Sequence, residues 1–181
     1  MNAEAKGTGQ FTLPARVLHW VMAAMVVAML FIGVSMVASL ASYHTLLSIH
    51  RPLGIAILIL VVVRFAVRLI GPLPPFLATL SARERRIATC SEYALYALMF
   101  ALPLVGWAML SAARLPIALW GAWHLPPILP HSAWVYALLR KLHAFLAYLL
   151  FATFLNHLST VLFHTLVRRD GLLRRMLPWK A

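Results

Sequence analysis

The stretch KLHAFLAYLLFATFLNHLST, residues 141–160, decides how the rest of the chain is read. After Lys141 it carries no charge, yet it holds two histidines, His143 and His157, and the apolar run continues to Val167. Fourteen residues at about 100° each bring the second histidine back to within about 40° of the first. The same spacing separates them by about 21 Å along a helix axis. Both imidazoles therefore share one face, one near each end of a membrane-length helix.

Three other runs have the same character. Val17–Tyr43 contains no Lys, Arg, Asp or Glu. A second run follows Arg51 to Ile70, interrupted by Arg64 and Arg68, and a third covers Tyr93–Ala113. The chain of 181 residues is 63% hydrophobic and 11% charged, with a mean hydropathy of +0.87. Soluble domains are about half apolar at most. A span needs roughly 20 apolar residues, and only helices satisfy their backbone within such runs. The expectation is an all-α integral membrane four-helix bundle, one domain over residues 1–181, with helices near 15–40, 46–70, 88–112 and 136–167. The first run is too long for a secretory leader and lacks a basic region before it.

The net charge of +12 comes from 16 Lys and Arg against 4 acids. No basic helix or aromatic-interleaved patch stands outside the spans, so nucleic acid is not an expected partner and positive-inside sorting accounts for the charge. With the N-terminus in the cytoplasm, twelve of the cations lie inside and Arg51, Arg114, Arg140 and Lys141 outside. Both termini are therefore expected to be cytoplasmic, with membrane lipid around the bundle. The loop RLPIALWGAWHLPPILPHSAW, residues 114–134, is expected along the outer interface with Trp120, Trp123 and Trp134 at headgroup level. Cys90 is the single cysteine, which excludes an internal disulfide, and no C-x-x-C-H offers covalent haem attachment.

Of eight histidines, His44, His124 and His131 fall in outer loops as ordinary polar residues. His19 falls at the depth of His157, and His50 at the depth of His143. Such pairs act either as hydrogen-bonding glue between helices or as paired axial ligands of haem iron. Zinc would take four ligands, and no carboxylate or further cysteine completes a set at either level.

RVLHW (16–20), IHRPLGIAILILVVVRFAVRLIGPLPP (49–75), LHAFLAYLLFATFLNHLSTVLFH (142–164) and RRDGLLRRMLP (168–178) together resemble the bacterial cytochrome b561 family, over about Leu13–Pro178. The resemblance implies two haem b groups. His19 and His157 would ligate the cytoplasmic-side iron, and His50 and His143 the periplasmic-side iron. It also implies a superoxide:ubiquinone oxidoreductase of the bacterial inner membrane, with superoxide as donor and ubiquinone as acceptor.

Arg51, Arg140 and Lys141 flank the outer histidines and would steer a small anion or neutralise haem propionates. In ATCSEYALY (88–96), where some relatives carry histidines, Glu92 would serve the quinone or its protons, or else pair with Arg85 or Arg86. His164 would contact quinone or propionate, or sit as an interfacial polar residue. Arg64 and Arg68 would meet propionate or lipid phosphate. The competing readings are a membrane electron-transfer subunit linking quinone to a partner redox protein, and a haem-free tetraspan. The short tails outside the spans favour a stand-alone protein.

Overall fold

A computed structural model describes residues 9–119 and 123–177. Four helices dominate it: α1 Leu13–Ala38, α2 Tyr43–Ile70, α3 Ala82–Ala112 and α4 Ala133–Leu162. Their lengths of 26, 28, 31 and 30 residues correspond to about 39 Å or more at 1.5 Å per residue, enough to cross about 30 Å of hydrocarbon. All four are long and apolar enough to span a membrane.

Local chemistry sets the helix starts. Pro14 stands in the first turn of α1, where its missing N–H costs nothing. Ser81 opens α3 with a capping box: its hydroxyl accepts from the Glu84 N–H at 3.2 Å, and the Glu84 carboxylate accepts from the Ser81 N–H at 2.7 Å. Ser132 caps α4 through Val135 N–H at 3.3 Å. Because of its capping box, α3 begins in the basic segment ahead of its apolar run.

The close packings are α1 on α2, α2 on α3 and α3 on α4. All four helices meet in a core of Val26, Ile57, Leu98, Leu102 and Leu150. Leu150 lies midway between His143 and His157, two turns from each, so buried apolar packing separates the two histidine levels. A second cluster of Met22, Val61 and Tyr96 adjoins it. Most of the span surface is open, including Phe31, Val37, Phe145 and Tyr148, as lipid-facing side chains require.

Both described chain ends meet at one end of the bundle, here the termini end. Phe11 N–H donates to the Arg175 carbonyl at 3.2 Å, Trp20 Nε1 to Met176 at 2.8 Å and Arg16 Nη1 to Leu177 at 2.8 Å. The Arg175 guanidinium reaches back to the Pro75 carbonyl. Beyond α4 the chain tightens into a π turn, Phe163–Arg168, then breaks at Arg169 and Gly171, both in the left-handed region at φ 52° and 81°. Those two positions turn the tail under the bundle.

At the opposite, loop end, β1 Ile117–Ala118 pairs antiparallel with β2 His124–Leu125. Trp123 and Trp134 are largely exposed there, while Trp120 lies outside the described residues.

Candidate functional site

Two histidine pairs occupy the bundle at two depths. Near the termini end, His19 of α1 faces His157 of α4 with ring centroids 6.3 Å apart. Near the loop end, His50 of α2 faces His143 of α4 at 6.2 Å. The ring planes cross at 63° and 67°.

These separations discriminate between chemistries. Imidazoles joined by a direct N–H···N bond of about 3 Å would bring their centres to roughly 5 Å. One metal atom bound to a nitrogen of each ring at about 2 Å sets the centres about 6 Å apart. The donor set fits a metal whose remaining positions are filled by something other than protein. Among the described residues no group of three or more His, Cys, Asp or Glu converges on a point, so a protein-only zinc site is not assembled. A haem, whose iron takes four equatorial nitrogens from its own ring, matches two axial imidazoles.

Around the loop-end pair, His50 Nδ1 and His143 Nδ1 are buried without a hydrogen-bond partner. His143 leans toward the Leu102 carbonyl without reaching hydrogen-bond geometry. Gly106 of α3 sits against the same ring: a Cβ there would lie 3.4 Å from His143 Cε1 and 3.7 Å from Nδ1. The absence of a larger side chain lets α3 approach closely enough to hold that ring. The expected cationic rim is split. Arg140 and Lys141 are exposed, whereas Arg51 is half-buried, its Nη1 donating to the Pro116 carbonyl at 3.3 Å.

Around the termini-end pair, Arg64 of α2 donates to the Ala15 carbonyl at 3.1 Å and approaches His19 Nδ1 at 3.2 Å. Its guanidinium also lies over Tyr96, 5.9 Å from the ring centre. Arginine only donates, so this contact places a lone pair on Nδ1 and the ring proton on Nε2. Holding a metal through Nε2 would need the proton on Nδ1 instead, and Arg64 would then keep its place beside His19 through the Ala15 carbonyl.

Several expectations are corrected. Glu92 pairs with neither Arg85 nor Arg86: Arg68 of α2 grips it with Nε–Oε1 at 2.7 Å and Nη2–Oε2 at 3.3 Å. Arg85 and Arg86 lie on the turns nearer the N-terminus of α3, while Arg68 stands across the α2–α3 seam in bidentate reach. Arg68 is thus paired to protein, and Arg64 to the His19 ring and its helix. His164 is not interfacial but buried, its Nδ1 2.6 Å from Asp170 Oδ2. The π turn and the left-handed Arg169 fold Asp170 back onto it. Burial by itself raises the Asp170 carboxyl, but hydrogen bonds from His164 and the Leu172 N–H, with the charge of Arg168, outweigh it and hold the group below the usual aspartate value.

His131 Nδ1 meets the Ala112 carbonyl at 2.9 Å, closing the end of α3, and His44 rests against Tyr43 in the first turn of α2. Asp170 and Arg16 drew no attention from sequence. The scarcity of acids was the available signal, because each of four carboxylates among 16 cations is expected to find a partner.

A cleft of about 520 Å³ opens between α3 and α4, lined by Arg86, Cys90, Ser91, Thr153 and Asn156, the last adjoining His157.

The family model described as prokaryotic cytochrome b561 matches residues 10–179. Cytochrome b561 homolog 2 of Escherichia coli (strain K12) is 30% identical over 162 residues, covering 88% of this chain and 86% of that protein. Probable superoxide oxidase CybB of Yersinia pestis is 32% identical over 136 residues, covering 73% of this chain and 74% of the relative. With the bundle, the paired histidines and a match over nearly the whole chain, this protein belongs to the prokaryotic cytochrome b561 family, haem b-binding membrane proteins of electron transfer.

Proposed function

We propose that this cytochrome carries two haem b groups, on His19 with His157 and on His50 with His143, and that it oxidises superoxide at the periplasmic face and reduces ubiquinone. The observation that carries the reading is the pair of imidazole gaps, each one metal atom wide, at two depths of one bundle. When bound, the haems supply one-electron relay between the two ends. Two superoxide anions give up one electron each and leave as oxygen, while one quinone takes both electrons with two protons and leaves as quinol.

The chain's own residues do the rest. The twelve-to-four bias of cations supports an inner-membrane orientation with the termini end in the cytoplasm. Exposed Arg140 and Lys141, with half-buried Arg51, give the loop end a positive rim that raises the local concentration of a small anion. At the termini end, Glu92 and His164 are the proposed proton or quinone contacts. Each is oriented by a partner, Arg68 or Asp170, which fixes the side chain against its neighbours. The superoxide reading draws on the relative from Yersinia pestis, whose name carries that activity.

The deciding experiment is stopped-flow reduction of the purified protein by superoxide, with and without a ubiquinone. Rapid reduction by superoxide, followed by reoxidation with quinone, is expected. Haems that stay oxidised under superoxide but are reduced by quinol or a periplasmic extract would replace this reading with an electron-transfer subunit serving a partner redox protein.

A further inference from the structure

Five buried side-chain polar atoms among the described residues lack a hydrogen-bond partner: Arg16 Nε, His50 Nδ1, Arg51 Nε, Ser91 Oγ and His143 Nδ1. Four of them belong to a histidine pair or to an arginine within three positions of one. The two arginines share a geometry. Arg16 is held through Nη1 by the Leu177 carbonyl at 2.8 Å and Gln10 Oε1 at 3.0 Å. Arg51 is held through Nη1 by the Pro116 carbonyl at 3.3 Å. Each guanidinium is thus tethered by chain outside the spans, while its Nε is buried and unpaired.

A buried guanidinium N–H without an acceptor is costly, and the partner that fits its planar fork is a carboxylate. Among the described residues no carboxylate supplies it. Glu84 pairs with Arg168, Glu92 with Arg68 and Asp170 with His164, while Glu4 lies outside the described residues. Position reinforces chemistry. Arg16 stands one turn before His19 on the same helix face, toward the termini end. Arg51 adjoins His50, and helical side chains lean toward their N-terminus, which for α2 is the loop end. Each arginine therefore lies on the surface side of its histidine pair. Lipid phosphate is a poorer match, because both Nε atoms are shielded from the surface.

We infer that Arg16 and Arg51 each bind a haem propionate carboxylate, Arg16 at the His19–His157 level and Arg51 at the His50–His143 level. The inference rests on the di-haem reading above. It makes the cytoplasmic tail and the outer loop, which tether these arginines, part of the two haem sites.

The test is redox titration of the purified haem-loaded protein as wild type, Arg16→Gln and Arg51→Gln, each with native haem and with haem dimethyl ester, whose propionates are blocked. With native haem each substitution lowers the midpoint potential of one haem and leaves the other in place, since an unneutralised carboxylate favours the ferric state. With the ester each substitution still removes a cation and shifts the potential by charge alone, so affinity discriminates: wild type prefers native haem over the ester roughly tenfold, and each Gln variant loses that preference at its own site. A native-haem preference that survives in both Gln variants, or no potential shift with native haem at full occupancy, overturns the inference while leaving the di-haem reading intact. Protein that binds no haem with a bis-imidazole spectrum sinks that reading instead. If a Gln variant fails to hold haem, Arg16→Lys and Arg51→Lys replace it. Loss of a roughly tenfold preference for native haem over the ester supports the anchor, and a wild-type preference overturns it.

Discussion

Arg64 of α2 crosses to α1 and places Nη2 3.2 Å from Nδ1 of His19. A fixed cation beside a proposed iron ligand favours the reduced, less positive iron. Arg64→Ala is expected to lower one midpoint potential by on the order of 50–100 mV, the worth of a unit charge several ångströms away at an effective dielectric of about 20. The other haem should stay within error. Potentiometry reads both, and an unmoved pair would remove Arg64 from the termini-end site.

Gly106 lies against the His143 ring, and a Cβ alone would already meet it at 3.4 Å. Gly106→Leu should therefore displace the imidazole and cost the loop-end haem, as His143→Leu should directly. Haem content per chain should fall from two to one in both variants. Gly106→Ala, which only reaches contact distance, should keep both. Two haems retained in the Leu variant would show that α3 does not position His143.

The Arg68–Glu92 pair bridges α2 and α3 in bidentate geometry, with side chains 25% and 36% exposed. Solvent screening at that exposure reduces its worth to about 1 kcal/mol. Glu92→Gln should destabilise the detergent-solubilised protein by that amount. A double-mutant cycle with Arg68→Gln should recover most of it as coupling. Additive losses would mean that the pair contributes nothing specific. If Glu92 also delivers protons, the Gln variant should slow quinone reduction while leaving superoxide-driven haem reduction unchanged.

Asp170 is held below its ordinary pKa by His164, the Leu172 N–H and Arg168. A carboxyl with a depressed folded-state pKa contributes stability that is complete above its unfolded value. That contribution is lost as pH falls through the folded one. Asp170→Asn should therefore lower Tm most at neutral pH, and the gap to wild type should narrow on acidification below about pH 4. A gap that stays constant from pH 7 to pH 3 would assign the loss to packing rather than to charge.

Much of the frame was written in the chain. Four uncharged or nearly uncharged runs of span length leave a helix as the only satisfied backbone, and charge bias suggests their direction. The fourteen-residue interval between His143 and His157 put both on one face, because helical periodicity is local and needs no partner to be known. The motifs from RVLHW to the basic tail carried the family.

What the sequence could not determine was which groups meet across helices. Glu92 had cations close by in its own helix, yet its partner Arg68 comes from α2, 24 residues away in sequence. His164 read as an interfacial residue because nothing local shows that a π turn and a left-handed Arg169 will fold Asp170 onto it. Arg16 read as an ordinary span-end cation, and Arg51 only as one of three cations of a rim for a small anion or propionates. Only the tertiary arrangement tethers them through the tail and the Pro116 segment, and leaves a buried Nε of each without a partner. Helix formation and insertion depend on each segment's own hydropathy and periodicity, so sequence alone determined them. Polar pairing inside the bundle depends on side-chain reach across seams between helices, and only the packed structure decides that.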